Sequence, residues 1–245
     1  MLRLGSKNVS KLFLGGRAIA NAYLGNKLVW PSSPPIHFVT AIESDGVACT
    51  VVPHVQQNVE NAKVRMVFRL PQVLDGNSPL RDKNMFGYSL NDSRWCLNNY
   101  NPYDLRPSAN HVVCQIYSGG GMIVQFPWTD YSTTQYHELV ATRINRQIQV
   151  FMDNILVGSS TNSTTPVMGR YGVFTQNDID GDGVNPISGR TPSGVAIAEF
   201  DTWDGGILAT SLRACLDENN VPCFYDLVSE TYVRTVSGGS FIVAS

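Results

Sequence analysis

The chain is poor in charge. Asp, Glu, Lys and Arg make up 16% of its 245 residues, against about a quarter in an average globular domain. The 18 basic and 20 acidic residues nearly cancel, leaving a net charge of −2, and the basic ones form no cluster. Nucleic acid and anionic membrane surfaces are held by basic stripes, so this composition argues against both as partners. No apolar run is long enough to span a bilayer. Histidine is scarce: His37, His54, His111 and His137 stand far apart, without the HxH or HExxH spacing of a zinc site. There is no phosphate-cradling loop, because Ser118-Gly119-Gly120-Gly121 lacks a Lys-Ser/Thr ending. There is no GxSxG nucleophile turn. Cys49, Cys96, Cys114, Cys215 and Cys223 are odd in number and contain no CxxC pair. They read as small buried hydrophobes kept reduced. The alternative is a disulfide between Cys215 and Cys223, which can face each other across a hairpin. Met1-Leu2-Arg3 leads straight into strand-like sequence with no apolar leader core. The expectation is a protein without a signal peptide, made in a cytoplasm.

What the chain has is a phrase said three times. "LGSK", "LGGR" and "LGNK" begin at Leu4, Leu14 and Leu24, and Val9, Ile19 and Val29 keep the same spacing. Gly5-Ser6, Gly15-Gly16 and Gly25-Asn26 put glycine first in a two-residue turn, the type II′ hairpin signal. Strand alternation sets Val9, Lys11 and Phe13 on one face and Leu12 and Leu14 on the other. In the next strand Ile19, Asn21 and Tyr23 oppose Ala20, Ala22 and Leu24. The expected element is a small antiparallel β-meander, apolar on both faces in places. About thirty residues do not make a core, so residues 1–30 need a partner. Leu12, Phe13, Leu14, Ile19, Tyr23, Leu24 and Trp30 are the assembly candidates. Pro31-Ser32-Ser33-Pro34-Pro35 follows as a stiff linker at 31–35. Packing of the repeat on the main domain as extra strands is the other reading.

"VSKLFLGGRAIANAYLGNKLVW", Val9 to Trp30, resembles the N-terminal segments of many tailed-bacteriophage virion proteins. There a V-x-K-L-Y-L-G-x-x-x-I-x-x-A-Y-L-G-x-x-L-V-W pattern precedes a receptor-binding or decoration domain. The resemblance implies attachment to other virion proteins through residues 1–30, and a final location in the virion after synthesis in the bacterial host.

Residues 36–245 read as β throughout, with candidate strands at 64–70, 85–90, 111–117, 122–126, 137–143, 147–152, 171–175, 195–203, 223–227 and 231–233. Turn signals separate them: Asp75-Gly76-Asn77, Asn145-Arg146, Asp153-Asn154, Asp204-Gly205-Gly206 and Asn219-Asn220. Short strands at regular spacing predict a sandwich or barrel. Three stretches carry a resemblance to the concanavalin A-like jelly roll of laminin-G-like lectin domains. They are "FVTAIESDGVACTVVPHVQQNVENAKVRMVFRL", "RQIQVFMDNILV" and the closing "AIAEFDTWDGG…SGGSF". Cys223-Phe224-Tyr225-Asp226-Leu227 stands in the G-L-Y-D place, and Ser237-Gly238-Gly239-Ser240-Phe241 in the G-T-G-x-F place. The expected fold is all-β: a concanavalin A-like jelly-roll sandwich preceded by the small meander.

Three constellations are candidates for chemistry. Glycosidases that this fold resembles carry E-x-D-x-E or E-x-D-x-x-E along one strand, and retaining hydrolysis sets two carboxyls about 5–5.5 Å apart. "EFDTWD" aligns Glu199, Asp201 and Trp203 on one face but lacks the closing glutamate. It therefore reads as a solvated strand face, and no enzyme is expected. Asp178, Asp180 and Asp182 with Gly183 match the first half of a calcium loop. The twelfth position is Gly189, so the readings are a Ca2+ site or an acidic turn. Trp95 and Tyr100, and Trp128 and Tyr131, lie among Asn, Asp, Arg and Thr. Aromatic platforms beside such polar groups bind sugars; half-buried packing is the other reading of each.

Together these readings describe a virion tail- or head-fibre or decoration component. It would be homo-oligomeric and would display a lectin-like domain for adhesion to host-surface glycan by avidity. A purely structural virion part is the alternative, and a glycan-degrading hydrolase a more distant one.

Overall fold

Residues Asn61–Arg69 show how the sequence makes a sheet. Ala62, Val64, Met66 and Phe68 are buried, while Lys63, Arg65, Val67 and Arg69 take the opposite face. This period of two is the signature of a strand with one face on a core. The structure, a computed structural model, describes residues 36–58, 60–71, 83–90, 93–100, 113–118, 121–127, 131–161, 169–175, 177, 184–186 and 191–245, with short strands within 3–30. Side chains are described for 36–58, 60–71, 85–87, 131–161, 169–175, 177, 184–186 and 191–245. Among the described residues there is no helix, so none long and apolar enough to cross a membrane.

The chain divides into two compact units, Met1–His37 and Phe38–Ser245. In the first, β1 (Arg3–Leu4) pairs β2 (Lys7–Asn8), β3 (Phe13–Leu14) pairs β4 (Arg17–Ala18), and β5 (Ala22–Leu24) pairs β6 (Lys27–Trp30). Leu4↔Lys7, Leu14↔Arg17 and Leu24↔Lys27 each enclose the two glycine-led residues, the spacing of a two-residue hairpin. The described pairings are those within each of three hairpins; the segments that would join them into the expected meander lie outside the described residues. Of the assembly candidates, Leu12 and Ile19 lie outside the described residues. Phe13, Leu14, Tyr23, Leu24 and Trp30 lie in these strands, their side chains outside the description.

The second unit opens with Phe38, the second residue of β7 (His37–Phe38), and is built from two antiparallel sheets. Its strands are β8 (Ile42–Asp45), β9 (Thr50–Gln56), β10 (Asn61–Arg69), β11 (Lys83–Leu90), β12 (Ser93–Tyr100), β13 (Val113–Ser118), β14 (Gly121–Pro127), β15 (His137–Ile144), β16 (Gln147–Met152), β17 (Ile155–Thr161), β18 (Gly169–Val173), β19 (Ser193–Asp204), β20 (Ile207–Leu216), β21 (Pro222–Asp226), β22 (Thr231–Val233) and β23 (Phe241–Val243). The larger sheet runs β17-β16-β15-β10-β19-β20-β21-β22, with β8 pairing both β19 and β23. The smaller runs β14-β13-β12-β11-β18-β9. This is a jelly-roll sandwich. Phe86 of β11, Tyr171 of β18 and Phe200 of β19 meet between the sheets, with ring centroids 5.6–6.3 Å apart. Phe174, Phe224 and Phe241 form a second aromatic group. Each fully buried ring contributes roughly 1.5–3 kcal/mol of transfer free energy.

Turn chemistry sets the registers. Asn145-Arg146 and Asp153-Asn154 have φ of 50°, 67°, 49° and 66°, the positive pairs of type I′ turns. Gly239 is obligatory for packing, because a Cβ there would stand 2.4 Å from the Ala48 nitrogen. Asp45 ties the same corner, accepting from the N–H groups of Val47, Ala48 and Ser240. Cys215 and Cys223 are cross-strand partners with sulfurs 3.5 Å apart, both buried and free. Their shared hydrogen bond lowers the Cys215 pKa and raises that of Cys223.

One irregularity positions the outer face of the larger sheet. The β10–β19 register shifts between Val67 and Phe68, leaving Ala198 as the extra residue. Before this bulge Val195 and Ile197 face the core; after it Phe200 does, and Glu199, Asp201 and Trp203 face outward. Bulges re-aim side chains in this way.

Candidate functional site

The outer face of β15, β10, β19 and β20 carries a charged network. Arg65 Nε donates to Glu138, and Arg65 Nη1 donates to Glu199 Oε2 at 2.6 Å and Asp201 Oδ2 at 2.9 Å. Arg213 Nη1 and Ser211 Oγ both donate to Asp201 Oδ1, at 2.7 and 2.9 Å. Burial alone would make the Arg65 guanidinium easier to deprotonate; its bonds to Glu199, Glu138 and Asp201 outweigh this and push its pKa up. The expected common face of Glu199, Asp201 and Trp203 is present, but it is not a solvated face. Asp201 is only 5% exposed, because two guanidinium groups close over it. Trp203, at one of the two places for a closing glutamate, lies under Lys63 Nζ, 4.2 Å from its ring centroid. Glu199 and Asp201 are thus committed to fixed guanidinium bonds.

Two concavities lie on the described surface near this network. One is an apolar depression of about 320 Å³, lined by Phe38, Val39, Ala198, Ala214 and Leu227, with Glu199 and Arg213 at its polar side. Phe38 is half exposed, at 52%. The other is a polar pocket of about 380 Å³. Glu43, Arg69, Leu70, Pro71, Gly194, Thr133, Thr134 and Ser245 line it. Both fall within the range of small-ligand pockets, about 300–1,000 Å³.

The polar pocket is built by strands on one side and a pinned loop on the other. Arg69 of β10 and Glu43 of β8 are both register partners of Ala196 in β19, so their long side chains meet across an alanine. Arg69 Nη2 donates to Glu43 Oε1 at 3.3 Å. The Arg69 guanidinium also stands 5.5 Å from the centroid of the Tyr136 ring, within cation–π range. Burial pushes the Tyr136 phenol pKa up against the pull of Arg69, and the Glu43 charge adds to the rise. Gly194 has φ of +75°, and a Cβ there would approach Pro71 Cβ to 3.2 Å. On the loop side, Ser132 Oγ accepts from the Thr134 N–H at 3.1 Å. The buried His137 places Nδ1 2.7 Å from Asp153 Oδ2 and Nε2 2.9 Å from the Ser132 carbonyl.

The residues expected from sequence are distributed unevenly around these features. Tyr131 is half-buried, packs against the core and meets His137 edge-on at 5.4 Å. The polar pocket begins two residues further on, at Thr133. Trp95 and Tyr100 are in β12, facing Ser118 and Val113 in the register with β13; their side chains lie outside the description. Trp128 and the calcium candidates Asp178, Asp180 and Asp182 lie outside the described residues. Among the described residues no group of three His, Cys, Asp or Glu could hold a metal ion. Sequence reasoning missed Glu43, Arg69 and Phe38. The usable signal was the outward charge at alternate positions of 61–69; the partner, twenty-six residues away in sequence, left none.

No protein-family model matches the chain, and no curated protein matches it. Solved structures do. A Bacteroides ovatus protein described as a candidate carbohydrate binding protein superposes with a TM-score of 0.55 at 10% identity, over 87% of this chain. The chain spans 62% of that protein's length. The native heptameric SAP-like pentraxin of Limulus polyphemus matches with a TM-score of 0.45 at 10% identity, over 70% of this chain and 78% of its own. Domains LG4-5 of the mouse laminin alpha1 chain match with a TM-score of 0.42 at 15% identity, over 74% and 45%. At 10% identity, what the chain shares with the Bacteroides ovatus protein is the fold alone.

Proposed function

We propose that this chain is a virion component of a tailed bacteriophage, in a tail fibre, head fibre or decoration role, that presents a glycan-binding jelly roll to the host surface. The observation that carries the binding reading is the polar pocket. It combines an acceptor carboxylate, a guanidinium and threonine hydroxyls, on a scaffold shared with a candidate carbohydrate binding protein. Sugar sites use oriented polar groups of this kind to hold hydroxyls. The resemblance of Val9–Trp30 to virion attachment segments supports the display role. The three hairpins are too small to bury themselves, which supports homo-oligomerisation or docking on other virion proteins through residues 1–30. Many copies on one particle then turn weak single contacts into firm adhesion.

The reading includes no catalytic step, and the guanidinium bonds on Glu199 and Asp201 support that. Calcium at Asp178, Asp180 and Asp182 belongs to the proposal as an optional ligand of the acidic loop. Light scattering on the full chain, beside a shortened chain starting at Ile36, tests the display role. An oligomeric full chain and a monomeric shortened one are expected. Two identical folded monomers would remove the physical basis for attachment through residues 1–30.

A further inference from the structure

We infer that the pocket between Arg69 and Thr134 selects uncharged sugars, and that it does so by gripping two adjacent hydroxyls with Glu43 as acceptor and Arg69 as donor. The inference rests on the glycan-binding reading and adds the ligand's chemistry to it.

The first support is unspent bonding capacity. A guanidinium has five N–H groups and a carboxylate about four acceptor positions. Among the described residues Arg69 spends one donor, on Glu43, at a long 3.3 Å. Both side chains are partly open to the pocket, at 21% and 18% exposure.

The second support is fixed geometry. Glu43, Ala196 and Arg69 form one row across β8, β19 and β10. Ala196 is fully buried beneath this row. The Tyr136 ring centroid stands 5.5 Å from the Arg69 guanidinium carbon. An acceptor and a donor held side by side match a vicinal diol. One hydroxyl donates to Glu43 while its neighbour accepts from Arg69, and each bond is strengthened by the charge of its protein partner. Thr133 and Thr134 supply further hydroxyls on the opposite wall.

The third support is charge balance. One cation and one anion in direct contact leave the Arg69–Glu43 pair without net charge. A sugar carboxylate drawn to Arg69 would be pressed against Glu43, and such like-charge juxtaposition is costly. The same pair therefore favours neutral sugars and rejects uronic acids.

The test uses the full chain and ligand-observed NMR. The probes are methyl α-D-glucopyranoside, methyl α-D-mannopyranoside and methyl β-D-galactopyranoside, with methyl β-D-glucuronide as the anionic comparison. At least one neutral probe should bind, the glucuronide should not, and Arg69→Met should weaken the neutral probe by about tenfold or more. Glu43→Gln keeps the shape but frees the Arg69 charge, so it should admit the glucuronide, a gain that loss of folding cannot produce. Preference of the unaltered protein for the glucuronide would overturn the inference. So would neutral binding indifferent to both substitutions; the glycan reading would then stand with its site elsewhere. If none of the probes binds and the full chain also retains no glycan on an array, the reading and the inference fall together.

Discussion

His137 Nδ1 lies 2.7 Å from Asp153 Oδ2, and through this contact the turn after β16 holds the loop that walls the polar pocket. The other ring nitrogen faces the Ser132 carbonyl at 2.9 Å. Asp153 Oδ1 meanwhile accepts the Glu138 N–H at 2.8 Å. Replacing His137 with Ala removes both ring contacts and leaves Ser132 untethered. Stability should fall by about 1–2 kcal/mol, the cost of losing two part-buried hydrogen bonds. Amide exchange measured by mass spectrometry should speed up at 131–136 more than in β10 or β19. Equal acceleration everywhere would show that His137 supports the core and not the loop.

Arg65 is the hub of the outer network, bonded to Glu138, Glu199 and Asp201. Arg65→Met leaves Arg213 beside Glu199 and Asp201 and takes the guanidinium from Glu138. Removing one partner of a fully buried pair costs about 3–5 kcal/mol. The Arg65 side chain is a quarter exposed, so solvent screening reduces the expected loss to about 2 kcal/mol. A urea-unfolding midpoint that does not move would contradict this role.

Acid should weaken the domain at its corners. The Ser240 N–H is the largest influence on Asp45 and lowers its pKa; the Ala48 and Val47 N–H groups add to this against burial. At Asp217 burial works to raise the pKa but is outweighed by the Val221 N–H, the Arg234 guanidinium and the Asn219 N–H. Both folded-state values lie below the ordinary aspartate value. Their stabilisation is therefore present above about pH 4 and is lost as pH falls through the lower folded values. Thermal midpoints recorded from pH 6 downward should drop over that acid range. The drop should be shallower in Asp217→Asn.

Arg146 occupies a left-handed backbone position, φ 67°, in the β15–β16 hairpin. This region disfavours a residue with a Cβ. Arg146→Gly should raise stability by about 0.5–1 kcal/mol, since relief of strain exceeds the entropy that glycine adds to the unfolded chain. The denaturant midpoint reports it directly. A lower midpoint would show that Arg146 makes a contact worth more than its strain.

Local chemistry was legible in the sequence and long-range pairing was not. The β16 bounds follow from alternation, and the Asn145-Arg146 and Asp153-Asn154 turns from residue type. The common face of Glu199, Asp201 and Trp203 followed from strand period, and Tyr131 stood out as an aromatic among polar residues. The burial of Asp201 did not follow, because it depends on Arg65 and Arg213 arriving from neighbouring strands. The bulge at Ala198 is a mismatch between two strands and has no signature in either alone. The Arg69–Glu43 pair forms because β8 and β10 both flank β19. Strand order, not local sequence, decides that.

The most direct test of the account is retention of the full chain, labelled and presented at high valency, on an array of bacterial surface glycans. The account predicts retention on a subset of neutral glycans, lost in Arg69→Met while the thermal midpoint is kept. A folded, oligomeric protein that no glycan retains would contradict it and leave a structural part of a particle.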